Sequence, residues 1–302
     1  MSDWLLALAG TPAGHHVAIG LALMAAILHA RFGALQKGRH DPWLTRAAID
    51  ASYGIIAAPF ALFVVPWPEP WMWPIFAGAF VIHSAYKVAQ AMTYDRAPYT
   101  IVYPLVRGTG PLLSVIAAGL VFGEQFALLQ WLGLLLLVGG ILGLAAWNLT
   151  HVPAHGTVGQ TLVPALALAL LTGAFVAGYT TYDAWGIRAT ADPFTFLAWF
   201  FMIDGVFIPV LTFRHWRGLG ASQRLPLLKR GVLGAFVAYF SFGGILLATR
   251  IDRVGEAAVL RETSTVFAAL FGWWFLGEKT GPVQVALMGL IALGAVVMES
   301  TG

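Results

Sequence analysis

The sequence contains no cysteine. That excludes disulfides and thiolate metal sites. Charge is almost as scarce: Asp, Glu, Lys and Arg make up 10% of the 302 residues, where soluble domains carry about 25%. Long polar stretches are also missing, which leaves no room for a soluble domain. The sequence holds no His-Glu-x-x-His, no Asp-Asp-x-x-Asp and no glycine-rich phosphate loop with its lysine, so the usual signatures of a membrane-embedded enzyme are absent. His15-His16 has no acid or further histidine at metal-ligand spacing, and no metal or cofactor is expected. Residues 1–13 open with an acid and lack a basic first segment, so no signal peptide is expected. Asn148-Leu-Thr150 matches a glycosylation acceptor, a triplet that is common by chance.

Hydrophobic residues, by contrast, make up 59% of the chain, with mean hydropathy +0.79. Ten apolar runs have the length of transmembrane helices: 14–36, 44–65, 71–94, 98–122, 125–147, 160–187, 193–213, 227–250, 254–276 and 280–299. The fold expected is an all-α membrane protein, and its 34 glycines suit close helix packing in lipid. The pI near 9.3 reads as loop charge rather than nucleic-acid binding. Lys37, Arg39, Arg46, Arg96, Arg214, Arg217, Arg224, Lys229, Arg230 and Lys279 fall in odd-numbered loops, and only Arg188, Arg250 and Arg253 in even-numbered ones. This bias puts the odd loops in the cytoplasm and both termini outside. The Trp-Pro-rich stretch Pro66–Pro74 then lies on the other side, with its tryptophans at the interface.

The two halves of the chain match. Arg107, Thr109, Gly123 and Glu124 align with Arg261, Thr263, Gly277 and Glu278 at one spacing, 154 residues. Asp41-Pro42 recurs as Asp192-Pro193, Ile49-Asp50 as Ile203-Asp204, and Asp95-Arg96 as Asp252-Arg253. Residues 1–150 and 151–302 are therefore expected to be five-helix repeats within one transmembrane unit. An odd number of helices per repeat forces opposite insertion, the inverted-repeat plan of secondary transporters.

Five stretches carry a family resemblance: Leu28–Lys37, Val102–Gly108, Gly178–Asp183, Met202–Gly205 and Leu260–Ser264. On these, the chain resembles the EamA-type branch of the drug/metabolite transporter superfamily over essentially its whole length. The resemblance implies a ten-helix metabolite carrier in the cell (inner) membrane, with relatives that often export amino acids and some associated with phosphonate use. It implies a central cavity lined by the first four and the sixth to ninth helices. It also implies both termini inside, against the charge count. Arg31-Phe32-Gly33 departs from the Ser-Trp-Asn that many relatives carry there.

Two sets of residues stand out for transport. Arg107 and Arg261 are permanent charges inside apolar runs. In a structural reading each pairs with a helical acid and locks the fold; in a functional one a guanidinium binds a carboxylate or phosphonate. His83, Tyr86, Lys87, Gln90 and Tyr94 form a polar stripe on the third helix, present in one half only, although Lys87 can alternatively snorkel to the headgroups. Tyr103, Tyr179 and Tyr182 add aromatic surface. Asp183 needs a partner if ionised, with Arg107, Lys87 and Arg261 as candidates. Glu262, Asp50, Asp204 and His29 complete the coupling or ion-pair set, each with a packing role as the alternative. Glu124 and Glu278 read as interfacial acids near a gate. The expected function is secondary transport of a small zwitterionic or anionic, amino-acid-like metabolite by alternating access, with proton coupling as an option resting on Asp183 and the histidines. A phosphonate or organic-anion carrier is the runner-up and a membrane enzyme a remote alternative. The partners expected are the small-molecule substrate and the lipid bilayer; a homodimer is left open.

Overall fold

The computed structural model describes residues 2–36, 41–96, 99–151, 158–276 and 281–300. Thirteen α-helices are described: α1 (Asp3–Leu6), α2 (Pro12–Gln36), α3 (Pro42–Phe63), α4 (Trp73–Arg96), α5 (Tyr99–Phe122), α6 (Leu128–His151), α7 (Val158–Ala189), α8 (Pro193–Asp204), α9 (Phe207–Gly218), α10 (Ala221–Ile251), α11 (Val254–Glu262), α12 (Ser264–Leu276) and α13 (Pro282–Glu299). Ten of the expected apolar runs are thus present, two of them broken. The seventh becomes α8 and α9, interrupted at Gly205-Val206. The ninth becomes α11 and α12, interrupted at Thr263. Eight helical spans are long and apolar enough to cross a membrane. The other two runs are α4, with its polar stripe, and the short α11 and α12, which include Arg261 and Glu262.

Local chemistry sets the helix starts, and it is duplicated. Asp41 accepts hydrogen bonds from Trp43 N (2.7 Å) and Leu44 N (3.1 Å) ahead of Pro42 in α3. Asp192 accepts from Phe194 N (3.0 Å) ahead of Pro193 in α8. Each aspartate caps orphan amide groups, and each proline sits where a missing N–H costs nothing. Gln130 and Gln284, 154 residues apart, each reach back to the amide that opens a helix, Ala127 N at 3.0 Å and Gly281 N at 2.9 Å.

The chain forms two compact units: residues 1–84 with 182–252, and residues 85–181 with 253–302. Each draws on both sequence halves, and the chain passes between them inside α4 and α7 and between α10 and α11. The first unit has an aromatic core in which Phe76 stacks on Phe196 and Phe200 on Phe242, with Ile49, Tyr53, Trp199 and Phe201 buried around them. Within it α3 crosses α8 and α9 at a glycine contact. A Cβ on Gly205 would stand 2.7 Å from Asp50 O and 2.8 Å from Gly54 Cα.

In the second unit α6 crosses α13 with internal two-fold reciprocity. A Cβ on Gly133 would lie 2.7 Å from Gly294 O, and one on Gly140 would lie 2.9 Å from Leu287 O. Leu287 and Gly294 stand 154 residues after Gly133 and Gly140, so each contact is the symmetry mate of the other. That is the pattern of an isologous interface. Leu137 and Ile291, also 154 apart, are fully buried near its centre.

Candidate functional site

The second unit buries three charges together. Arg107 is carried by α5, eight residues from its start, and Arg261 and Glu262 end α11. Relative exposures are 5%, 4% and 1%. Arg107 Nε lies 2.8 Å from Glu262 Oε2, and Arg261 Nε lies 3.6 Å from Glu262 Oε1. Neither Nε is aligned for a hydrogen bond, and Glu262 Oε2 makes none. The carboxylate therefore neutralises two guanidiniums without forking into either. Arg107 instead donates through Nη2 to Ser264 Oγ (2.6 Å), and Arg261 through Nη2 to Thr180 Oγ1 (3.5 Å).

Tyrosines frame these charges. The Arg107 guanidinium lies 5.6 Å from the Tyr103 ring centroid, and that of Arg261 lies 5.9 Å from Tyr179. Tyr179 meets Tyr86 edge to face at 5.0 Å. Gln90 Nε2 donates to the hydroxyls of Tyr86 (2.6 Å) and Tyr94 (3.4 Å). The lower part of the α4 stripe is thus tied through Tyr86 and Tyr179 to Arg261. Lys87 is buried at 3% exposure, which corrects the snorkelling alternative.

Nearby in the same unit, Glu124 has a structural role that its position did not suggest. Its two carboxylate oxygens accept from Val254 N (2.7 Å) and Gly255 N (3.0 Å), so it caps α11 from another chain segment. Gly123 makes the turn that aims it, at φ +69°. Its N–H bonds Gly119 O at 3.1 Å, the left-handed stop typical of a helix C-terminus. Arg253 adds hydrogen bonds to Gln125 O and Glu256, with its guanidinium over the Phe126 ring. The repeat mates Gly277 and Glu278 lie outside the described residues.

The first unit holds the rest of the expected residues. His83 Nε2 and Asp183 Oδ2 are 2.7 Å apart, both buried. The imidazole lies edge-on to Phe200 and Phe242. The three cations expected as partners for Asp183 all lie in the other unit, and the partner found in its own unit is a stripe residue, one hundred positions away. Arg46 Nε pairs with Asp50 Oδ1 at 2.7 Å, one helical turn apart. Tyr53 donates to Asp204 Oδ2 at 2.5 Å. Tyr182 is half-buried and its hydroxyl reaches Pro74 O at 3.5 Å. His29 is half-buried on α2. His15 Nδ1 and Asp252 Oδ2 are 2.7 Å apart. Arg188 donates to Thr249 O (2.8 Å) and Asp252 O (2.6 Å), satisfying carbonyls at the end of α10.

Sequence reasoning missed Ser264, Thr180 and Tyr53 as partners. Ser264 lay inside a motif that drew attention for its charges. Tyr53 sits three residues after Asp50, so its spacing was visible but its acceptor on α8 was not.

Eight helical spans long and apolar enough to cross a membrane, with ionic groups buried among helices, define a multi-pass membrane protein. A family model described as the EamA-like transporter family matches residues 16–146 and 163–300. The chain belongs to that family, and so is a membrane transporter of small molecules with a bilayer as its surroundings. An uncharacterized transporter of Bacillus subtilis, YwfM, is 24% identical over 237 residues, covering 76% of this chain and 74% of that protein. An uncharacterized protein of Sinorhizobium fredii, y4nH, is 31% identical over 77 residues, covering 26% of this chain and 66% of that protein, just under two thirds of its length. A crystal structure with 17% sequence identity has the same fold, at TM-score 0.74 over 96% of this chain and 99% of that one.

Proposed function

We propose that the chain is a secondary transporter that moves a small anionic or zwitterionic, amino-acid-like metabolite by alternating access. One observation carries the substrate class. Arg107 and Arg261 share a single carboxylate, Glu262, which leaves these three buried groups at +1, two positive charges less one. A guanidinium does not escape burial by losing its proton, and ionisable groups inside a membrane protein mark substrate or ion pathways. A carboxylate or phosphonate offers the paired oxygens that a guanidinium fork prefers. Tyr86, Tyr103 and Tyr179 supply hydroxyls and ring faces for the rest of the solute. The duplicated five-span halves favour alternating access.

Arg107→Ala and Arg261→Ala are each expected to cut substrate flux in proteoliposomes by roughly 100-fold, the scale of about 3 kcal/mol for a lost buried charge contact. Both variants should still insert in the membrane. Wild-type flux in both would remove the substrate role of the arginines. Burial of Lys87 in the same unit favours a phosphonate-type dianion as a second reading, which a competition series of carboxylates and phosphonates separates from the first. The buried His83–Asp183 pair favours proton coupling. An imposed pH gradient should then drive accumulation; flux that ignores the gradient points to facilitated diffusion or exchange.

A further inference from the structure

The repeat symmetry fails at one position beside the two arginines. Arg107 is followed by Gly108, and its mate Arg261 by Glu262. Gly108 has little room for a side chain, because an added Cβ would stand 3.1 Å from Leu142 Cδ2 and 3.3 Å from Leu142 Cγ. The backbone differs at the same place. α5 runs unbroken through Arg107 and Gly108, whereas the equivalent span stops at Glu262 and restarts at Ser264. The second half alone therefore supplies a carboxylate, and it lies beside both guanidiniums.

The fit of that carboxylate is poor by distance and by angle. Its contact with Arg107 is off the hydrogen-bond axis, and it stays 3.6 Å from Arg261. A well-matched guanidinium–carboxylate pair makes two parallel hydrogen bonds. Glu262 is thus close enough to neutralise charge and not placed to saturate either fork.

We infer that Glu262 is a tethered counter-ion that sets the charge of the solute the site accepts. By holding Arg107 and Arg261 at a combined +1, it matches one net negative charge and works against dianions. It also yields the forks to a ligand oxygen pair that fits them better. This rests on the reading of Arg107 and Arg261 as substrate ligands.

Inorganic sulfate tests the inference without knowledge of the natural substrate. Thermal unfolding of the purified full-length chain is followed against sodium sulfate, with sodium chloride at matched ionic strength as control. A ligand of the folded state raises the unfolding temperature by mass action. Glu262→Gln takes the three groups to +2 and is expected to bind sulfate at least about tenfold more tightly than wild type, since one buried charge is worth more than a decade of affinity. Arg107→Gln combined with Glu262→Gln should lose that gain. If Glu262→Gln does not fold, Glu262→Asp carries the same expectation at smaller size, because its shorter side chain draws the carboxylate away from Arg107. Equal sulfate affinity in wild type and the Glu262 variant would overturn the counter-ion role. The separate reading of the arginines as substrate ligands fails instead if Arg107→Ala and Arg261→Ala both keep wild-type flux.

Discussion

At the scale of single residues, the acids of this chain divide by what they neutralise. Asp41 and Asp192 cap the helices they precede. Glu124 caps a helix 130 residues away and Glu262 balances two guanidiniums. Glu124 is the sharper test of structure, because it accepts two amide hydrogens at the start of α11, where the helix dipole also favours a negative charge. Glu124→Ala is expected to lower stability by about 1–2 kcal/mol, read as a lower unfolding temperature in detergent; an unchanged midpoint would deny the cap. The adjacent caps were legible in the sequence because an aspartate before a proline acts on its own chain neighbours. The pairs Arg107–Glu262, His83–Asp183 and Tyr53–Asp204 were not, because each joins helices whose contact depends on the whole packing. The arginines themselves drew notice for being charged in apolar surroundings, but their pairing does not follow sequence order. Glu262 follows Arg261 in sequence and lies nearer Arg107 in space.

At the scale of elements, the ten apolar runs were readable from length and composition, and the breaks in the seventh and ninth were not. Run 193–213 holds Gly205 and Pro209, whose ring crowds the carbonyl four residues back, but helices in lipid tolerate such residues where packing neighbours satisfy the freed backbone groups. Run 254–276 holds no proline. At Thr263 the amide turns to Leu260 O at 3.1 Å, a tighter turn that keeps the backbone bonded through the interruption. The glycine-rich crossing of α6 with α13 was expected only as close packing in general. Its two-fold register gives a specific outcome. Gly294→Val would force side-chain carbon into Gly133 O and Leu137 N, each 2.5 Å from the added Cβ. Because both obstacles are backbone, the helices must separate. The variant is expected to lose its monodisperse peak in size-exclusion chromatography, while Gly139→Ala, with nothing within 4 Å of its Cβ, should keep it.

At the scale of the whole molecule, the sequence halves and the compact units are different divisions of one chain. The duplication shows as a spacing of 154 residues that recurs at Asp50 and Asp204, Arg107 and Arg261, and Gln130 and Gln284. Local periodicity and repeats were enough to read it. The units were not readable in that way, because they depend on which helices meet. Each takes residues from before and after position 150, and this has a practical consequence for assembly. A polypeptide ending near residue 151 would carry only part of either core, and so would its complement. Expressed alone, each fragment should be degraded. Expressed together, the two should reconstitute a stable, co-purifying transporter, with each fragment acting as the other's folding template. Stable accumulation of either fragment by itself would contradict the shared cores.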